Sequence, residues 1–191
     1  MRVIAGTHRG RRLVAPKGDR TRPTSDRVRE ALFSRLEAAG LADGGSVLDL
    51  FAGSGALGIE ALSRGAAHVT FVERDRAALA ALRSNLDALE VTDCSTVLAG
   101  DALYVVTRDR VPGAPFSLLF LDPPYRIDKS EVRNAVVRLA TGGGLADGAL
   151  LVWERSSADE AMWPPSLDDL GARRYGDTTV SIARFSKGET G

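Results

Sequence analysis

Apolar residues recur along this chain with two alternating periods. From Ser46 onward, short apolar runs alternate with longer segments whose apolar positions repeat at helical spacing. Val47–Phe51 predicts a strand and Ala56–Arg64 a helix that Gly65 stops. His68–Val72 predicts a second strand, and Arg76–Leu89 a helix with Leu79, Leu82, Leu86 and Leu89 on one face. Ser95–Ala99 reads as a third strand and Ala102–Arg108 as a helix. Phe116–Leu121 is nearly all apolar, as expected of a strand covered on both faces. Glu131–Ala140 predicts a helix, the glycines at 142–144 a loop, and Ala149–Glu154 a fifth strand. Ala172–Tyr175 and Thr179–Phe185 flank Gly176-Asp177 and predict a closing hairpin.

Two features precede this alternation. Arg2–Ile4 and Arg12–Ala15, separated by Gly-Thr-His-Arg-Gly, predict a short hairpin. Pro23-Thr24-Ser25-Asp26 supplies helix-starting chemistry for a helix running to about Ala39, with Val28, Ala31, Leu32 and Leu36 at helical spacing. The pattern therefore predicts an α/β, Rossmann-like, doubly wound fold. Its sheet would be seven-stranded and mostly parallel, ending in an antiparallel hairpin. Residues 1–40 would form a basic hairpin-helix extension, 41–186 the main domain and 187–191 a tail.

Charge adds to this picture. The chain is neutral overall, with 25 basic and 25 acidic side chains, yet residues 1–35 hold ten basic and only three acidic ones. Such asymmetry suits an arm that meets a polyanion, and Arg in particular grips phosphate bidentately and stacks on bases. An ordinary solvated basic face is the alternative. No apolar run approaches the roughly 20 residues of a membrane span. The opening MRVIAGTHRGRR lacks a secretion signal's apolar core, so a cytoplasmic protein is expected. Cys94 is the only cysteine, which excludes an internal disulfide and the zinc spacings built from Cys pairs.

In a doubly wound sheet, ligands bind beyond the carboxyl ends of the strands. After the first strand come Phe51-Ala52-Gly53-Ser54-Gly55-Ala56-Leu57-Gly58, a G-x-G-x-x-G turn between strand and helix. It permits close approach of a ligand to the backbone, but nicotinamide, flavin and methyl-transferring enzymes share it, and a packing turn would look alike. After the second strand comes Glu73, twenty residues past Gly53, where an acid can accept from both ribose hydroxyls of an adenosine or simply face solvent. After the third come Gly100-Asp101-Ala102; Asp101 can accept from an adenine amine, cap a helix, or both. After the fourth come Asp122-Pro123-Pro124-Tyr125. Two prolines remove two N–H donors and fix two φ angles, leaving a rigid edge of carbonyl acceptors. Asp122 adds a carboxylate and Tyr125 a flat ring with a polar tip. This edge suits an aromatic amine, which has two donors and a π-face; a Pro-Pro turn leaving a buried strand is the competing reading.

Taken together, VLDLFAGSGALGIEALSRGA and LLFLDPPY resemble class I methyltransferases of the amino-group branch. RVIAGTHRGRRL and RPTSDRVREALFSRL resemble the opening of RsmD-type 16S rRNA (guanine-N2) methyltransferases, and the likeness runs from Arg2 to the final hairpin. The resemblance implies S-adenosylmethionine as cofactor. It places Asp49, Ala52, Gly53, Gly55, Glu73, Asp101 and Ala102 at the cofactor, with Asp49 orienting the glycine loop. It places Asp122, Pro123 and Tyr125 at the target guanine, and Arg9, Arg11, Arg12, Arg20 and Arg22 on RNA. It further implies ribosomal RNA or the assembling small subunit as partner, no metal, no membrane, and action as a monomer. Three other readings stand beside it: a DNA adenine methyltransferase, an RNA-binding protein without catalysis, and a nicotinamide-dependent oxidoreductase, for which Asp122-Pro123-Pro124-Tyr125 has no evident role.

Overall fold

The computed structural model describes residues 1–16, 26–41, 43–124, 126–159 and 162–187; Arg20, Arg22 and Tyr125 lie outside these. In chain order the elements are α1 (Asp26–Ala38), β1 (Ser46–Asp49), α2 (Ala56–Ser63), β2 (His68–Glu73), α3 (Arg76–Leu89), β3 (Ser95–Ala99), α4 (Ala102–Val105), β4 (Phe116–Leu121), α5 (Lys129–Thr141), β5 (Leu145–Ser156), β6 (Leu167–Tyr175) and β7 (Thr178–Phe185). The seven strands make one sheet in the order β3-β2-β1-β4-β5-β7-β6. The pairs β3/β2, β2/β1, β1/β4 and β4/β5 are parallel; β7 runs antiparallel to β5, and β6 to β7. This is the Rossmann-like α/β arrangement that the alternation predicts.

Alternate residues of each central strand feed two separate cores. Val47, Leu118, Phe120 and Val152 point toward α1, α2 and α3; Leu48, Leu119, Leu121 and Leu151 point toward α4 and α5. Burial on both faces explains the near-continuous apolar runs. Helix α3 begins where Asp75 accepts from Ala77 and Ala78 amides, both at 2.9 Å, and ends at Glu90 in the left-handed region. These two signals fix the expected bounds.

Departures from expectation have local causes. Strand β5 starts at Leu145 rather than Ala149, and its register against β4 shifts between Phe116 and Leu118. Gly148, at φ 74°, sits in this irregular stretch and hides the strand from an alternation count. Strand β6 starts at Leu167, because its exposed residues and Gly171, at φ 91°, break the alternation. Helix α4 ends at Val105 rather than Arg108.

On α1 the expected Leu32 and Leu36 are buried and Val28 packs against the core, but Arg29 and Phe33 are buried there in place of Ala31. Arg29 is wholly buried; its Nη2 donates to the Arg2 carbonyl and to Asp26 Oδ1. Burial lowers its pKa, opposed by Asp26 and Glu60. Arg35 donates to the Val180 and Gly171 carbonyls at 3.2 and 3.0 Å. Arg11 Nη2 also donates to the Ala88 carbonyl at the end of α3, so three of the ten basic side chains credited to the arm bond to backbone carbonyls of the fold.

The hairpin itself is one bridge, Arg2 to Arg12, with a few backbone bonds around it. It lies against α2, where buried Glu60 accepts from the Ile4 and Ala5 amides at 2.8 and 3.0 Å. Val3 and Leu13 enter the same core as α1 and α2. Gly6, at φ 79°, lets the chain pass Ser63: a Cβ there would lie 1.6 Å from the Ser63 carbonyl oxygen. Arg9, Arg11 and Arg12 are left on the exposed side. No helix among the described residues is long and apolar enough to cross a membrane.

Candidate active site

The chain leaves the sheet at its β3 edge and returns to lay β4 beside β1. Connections on either side of that seam diverge, which opens a crevice at the strands' carboxyl ends, the ligand position of doubly wound sheets. A cavity of about 430 Å³ occupies it. Every strand end singled out in the sequence contributes to its wall: Asp49, Ala52 and Gly53 after β1, Glu73 after β2, Asp101 and Ala102 after β3, Asp122 and Pro123 after β4. Gly55 is not in the wall. It adopts φ 83°, and a Cβ on it would lie 2.4 Å from Leu82 Cδ1, so its missing side chain also serves the turn and its packing.

The glycine loop is held by carboxylates. Glu73 Oε2 accepts from the Gly53 amide at 2.8 Å, while Oε1 accepts from the Arg74 and Asp75 amides, both at 2.7 Å. Asp49 Oδ2 accepts from the Gly58 amide at 3.1 Å. Asp101 Oδ1 caps α4 by accepting from Leu103 at 2.9 Å, and Oδ2 pairs with Arg74 at 2.8 Å. The capping alternative for Asp101 is thus realised, with the residue still lining the cavity.

Sequence reasoning missed further parts of the wall. Glu154, Arg155, Tyr175 and Thr178 come from the β5 and β6–β7 ends. Glu154 carries no motif, but its place at the carboxyl end of the strand beside β4 is a usable signal. Met1, Ala15, Pro16 and Val28 bring the arm to the same cavity.

Five carboxylates, Asp49, Glu73, Asp101, Asp122 and Glu154, share the lining. The two arginines there are engaged: Arg74 with Asp101, Arg155 with the Asp159 carbonyl and Ser181 Oγ. Burial pushes Asp49 up to about 7; the Gly58 bond opposes this and Glu73 adds to it. Burial also pushes Asp122 well above the usual carboxylate range, reinforced by Glu154 and Asp49. Among the described residues, the lining is therefore short of positive charge. A cationic ligand would relieve it, whereas a pyrophosphate would be repelled. The Gly53 and Gly58 amides, near the helix start where a dinucleotide fold holds pyrophosphate, already serve Glu73 and Asp49.

A stability measurement checks the Asp49 environment. Below the usual carboxylate range, Asp49 is protonated folded or unfolded and its burial carries no charge penalty. As pH rises toward 7 the unfolded chain ionises first, so folding loses stability up to the folded-state pKa. Asn keeps the acceptor for Gly58 without the charge. Asp49→Asn is expected to match the wild type near pH 4 and to exceed it above pH 7 by roughly 4 kcal/mol. Urea unfolding across this range reads the difference; a gain independent of pH would contradict the assignment.

Fold and site together define the class: a Rossmann-like α/β domain of the methyltransferase type. Residues 1–184 match the family model described as "Conserved hypothetical protein 95", and the chain belongs to that family, which holds the RsmD-type methyltransferases. It is 41% identical over 154 residues to "Ribosomal RNA small subunit methyltransferase D" of Escherichia coli (strain K12), covering 81% of this chain and 74% of that one. It is 47% identical over 185 residues to the Bacillus subtilis (strain 168) protein YlbH, covering 95% and 97%. Among solved structures, that of the Escherichia coli protein yhhF superposes with a TM-score of 0.83 at 33% identity, covering 97% and 98%.

Proposed function

We propose that this protein transfers a methyl group from S-adenosylmethionine to the exocyclic N2 amine of a guanine in 16S ribosomal RNA. The observation that carries the reading is the meeting of Asp122-Pro123 with the carboxylate-held glycine loop in one cavity lined by five carboxylates. When bound, S-adenosylmethionine supplies an electrophilic methyl group on a sulfonium. The acid-rich lining suits that cation; Glu73 faces the ribose, Asp101 and Ala102 the adenine, and Ala52 and Gly53 the methionine part.

The guanine N2 lone pair is delocalised into the ring, which makes the amine a poor nucleophile. Asp122 in its ionised form and the Pro123 carbonyl accept the two N–H bonds, draw the nitrogen toward a tetrahedral shape and aim its lone pair. They also stabilise the positive charge that grows on nitrogen. Burial and the repulsion of Glu154 raise the proton affinity of Asp122, which suits it to take the proton the amine sheds. By family resemblance, Tyr125 stacks on the base and sets its plane. Most of the rate enhancement then comes from positioning, with no metal needed.

The base edge must enter a cavity, so the guanine is unpaired or turned out of its stack. Exposed Arg9, Arg11 and Arg12 grip phosphates around it, with Arg20 and Arg22 expected to join them. In this reading residues 1–40 are the RNA-binding extension of a 41–186 catalytic domain, and a cytoplasmic monomer acts on ribosomal RNA or the assembling small subunit.

Calorimetry separates this reading from the oxidoreductase one. S-adenosylmethionine is expected to bind and NAD to give no heat at the same concentration. Tight NAD binding without S-adenosylmethionine binding would sink it.

A further inference from the structure

Asn85 sits on the buried side of α3 among Leu82, Leu86 and Leu89 and is 2% exposed. An apolar residue would serve the helix at such a position, since burying an amide is costly unless its hydrogen bonds are made. They are made, and all lead away from the helix. Oδ1 accepts from the Val14 amide at 2.7 Å. Nδ2 donates to the Val14 carbonyl and to the Ser54 carbonyl, each at 3.0 Å. The side chain holds Val14 at two points, much as a neighbouring strand would, and holds the glycine loop with its remaining N–H.

Val14 is caught by its backbone; its side chain is 54% exposed. On one side of it in sequence stand Arg11 and Arg12 of the basic hairpin, and on the other Ala15 and Pro16, which wall the cavity together with Gly53 and Ser54. Glu60 and Ser63 also anchor the hairpin, but to the body of α2. Among the described residues, Asn85 is the one side chain bonded to both the arm and the glycine loop.

We propose that Asn85 is a positioning residue that couples RNA held on the arm to cofactor held in the glycine loop, so that each tightens the other. The inference rests on the methyltransferase reading above. Coupling of this kind is reciprocal, and it appears as a ratio of affinities measured with and without the second ligand.

The test titrates S-adenosylhomocysteine, so that no turnover intervenes, into the wild type, Asn85→Ala and Asn85→Ser. Each titration is done alone and with saturating unmodified small-subunit ribosomal RNA transcript. RNA is expected to tighten wild-type binding about fivefold or more, and both variants to bring that ratio to within about twofold of one. Exchange of the Val14 amide should quicken in both variants. Serine leaves a smaller void than alanine and can retain one polar contact, so it carries the test if the alanine variant unfolds. A ratio unchanged in the variants would overturn the proposal. So would a wild-type ratio near one, although the methyltransferase reading would then stand, since both ligands bind. A wild type that binds neither ligand would overturn both. Unfolding of both variants would assign Asn85 to stability alone and overturn the coupling role.

Discussion

Asp122→Ala is expected to lower kcat by roughly 100- to 1,000-fold, the loss seen when one preorganised stabiliser of developing charge is removed. The expectation follows from position and environment together. Asp122 leaves β4 at the seam with β1, so its carboxylate is aimed by the sheet rather than by a free loop. Burial, Glu154 and Asp49 all favour its protonated form. In its ionised form a carboxylate of such raised proton affinity is well placed to take a proton from the amine and poorly placed to serve as a surface acid. Its removal also relieves repulsion around the cavity, so cofactor affinity should change little. Steady-state kinetics beside a cofactor titration separate the two effects. Turnover near the wild-type rate in Asp122→Ala would show that amine activation lies elsewhere.

Glu73→Ala is expected to act on the other quantity. The Glu73 carboxylate accepts three backbone amides, those of Gly53, Arg74 and Asp75. Removing it frees the loop that lines the cavity and, in the proposed reading, takes away the acceptor for the ribose hydroxyls. The loss of a buried hydrogen-bonding partner, at roughly 1–3 kcal/mol, corresponds to about a 5- to 150-fold rise in the cofactor Kd. Glu73→Gln should fall between, since it retains one acceptor. The Kd is read by calorimetry with S-adenosylhomocysteine; an unchanged value in Glu73→Ala would remove Glu73 from the cofactor site.

How much of this could be read from the chain depended on whether local signals agreed. β3, β4 and α3 have the predicted bounds because an uninterrupted apolar period coincides with strong punctuation, such as the Asp75 cap. The strand-end residues converge because a doubly wound topology brings those ends to one crevice, whatever the details of packing. The resemblance places Gly55 at the cofactor, and no local pattern shows that its missing side chain also makes room for Leu82.

The arm was harder to read, because a count of charges does not say which way a side chain points. Arg29 lies in phase with Leu32, Phe33 and Leu36, and that spacing was the available sign of its burial; its pairing with Asp26, three residues earlier, was the second. Arg35 bonds to carbonyls more than a hundred residues away, which no local pattern reveals. Asn85 was hidden for the same reason, since its partners Val14 and Ser54 are distant in sequence.

The central claim concerns the atom that is methylated. Small ribosomal subunits from a strain lacking this enzyme, incubated with the protein and methyl-labelled S-adenosylmethionine, test it most directly once the labelled nucleotide is mapped and hydrolysed. The account predicts label on one guanine, recovered as N2-methylguanine, and none when Asp122→Ala replaces the wild type. Label on an adenine, or transfer to DNA with none to the ribosomal RNA, would contradict it.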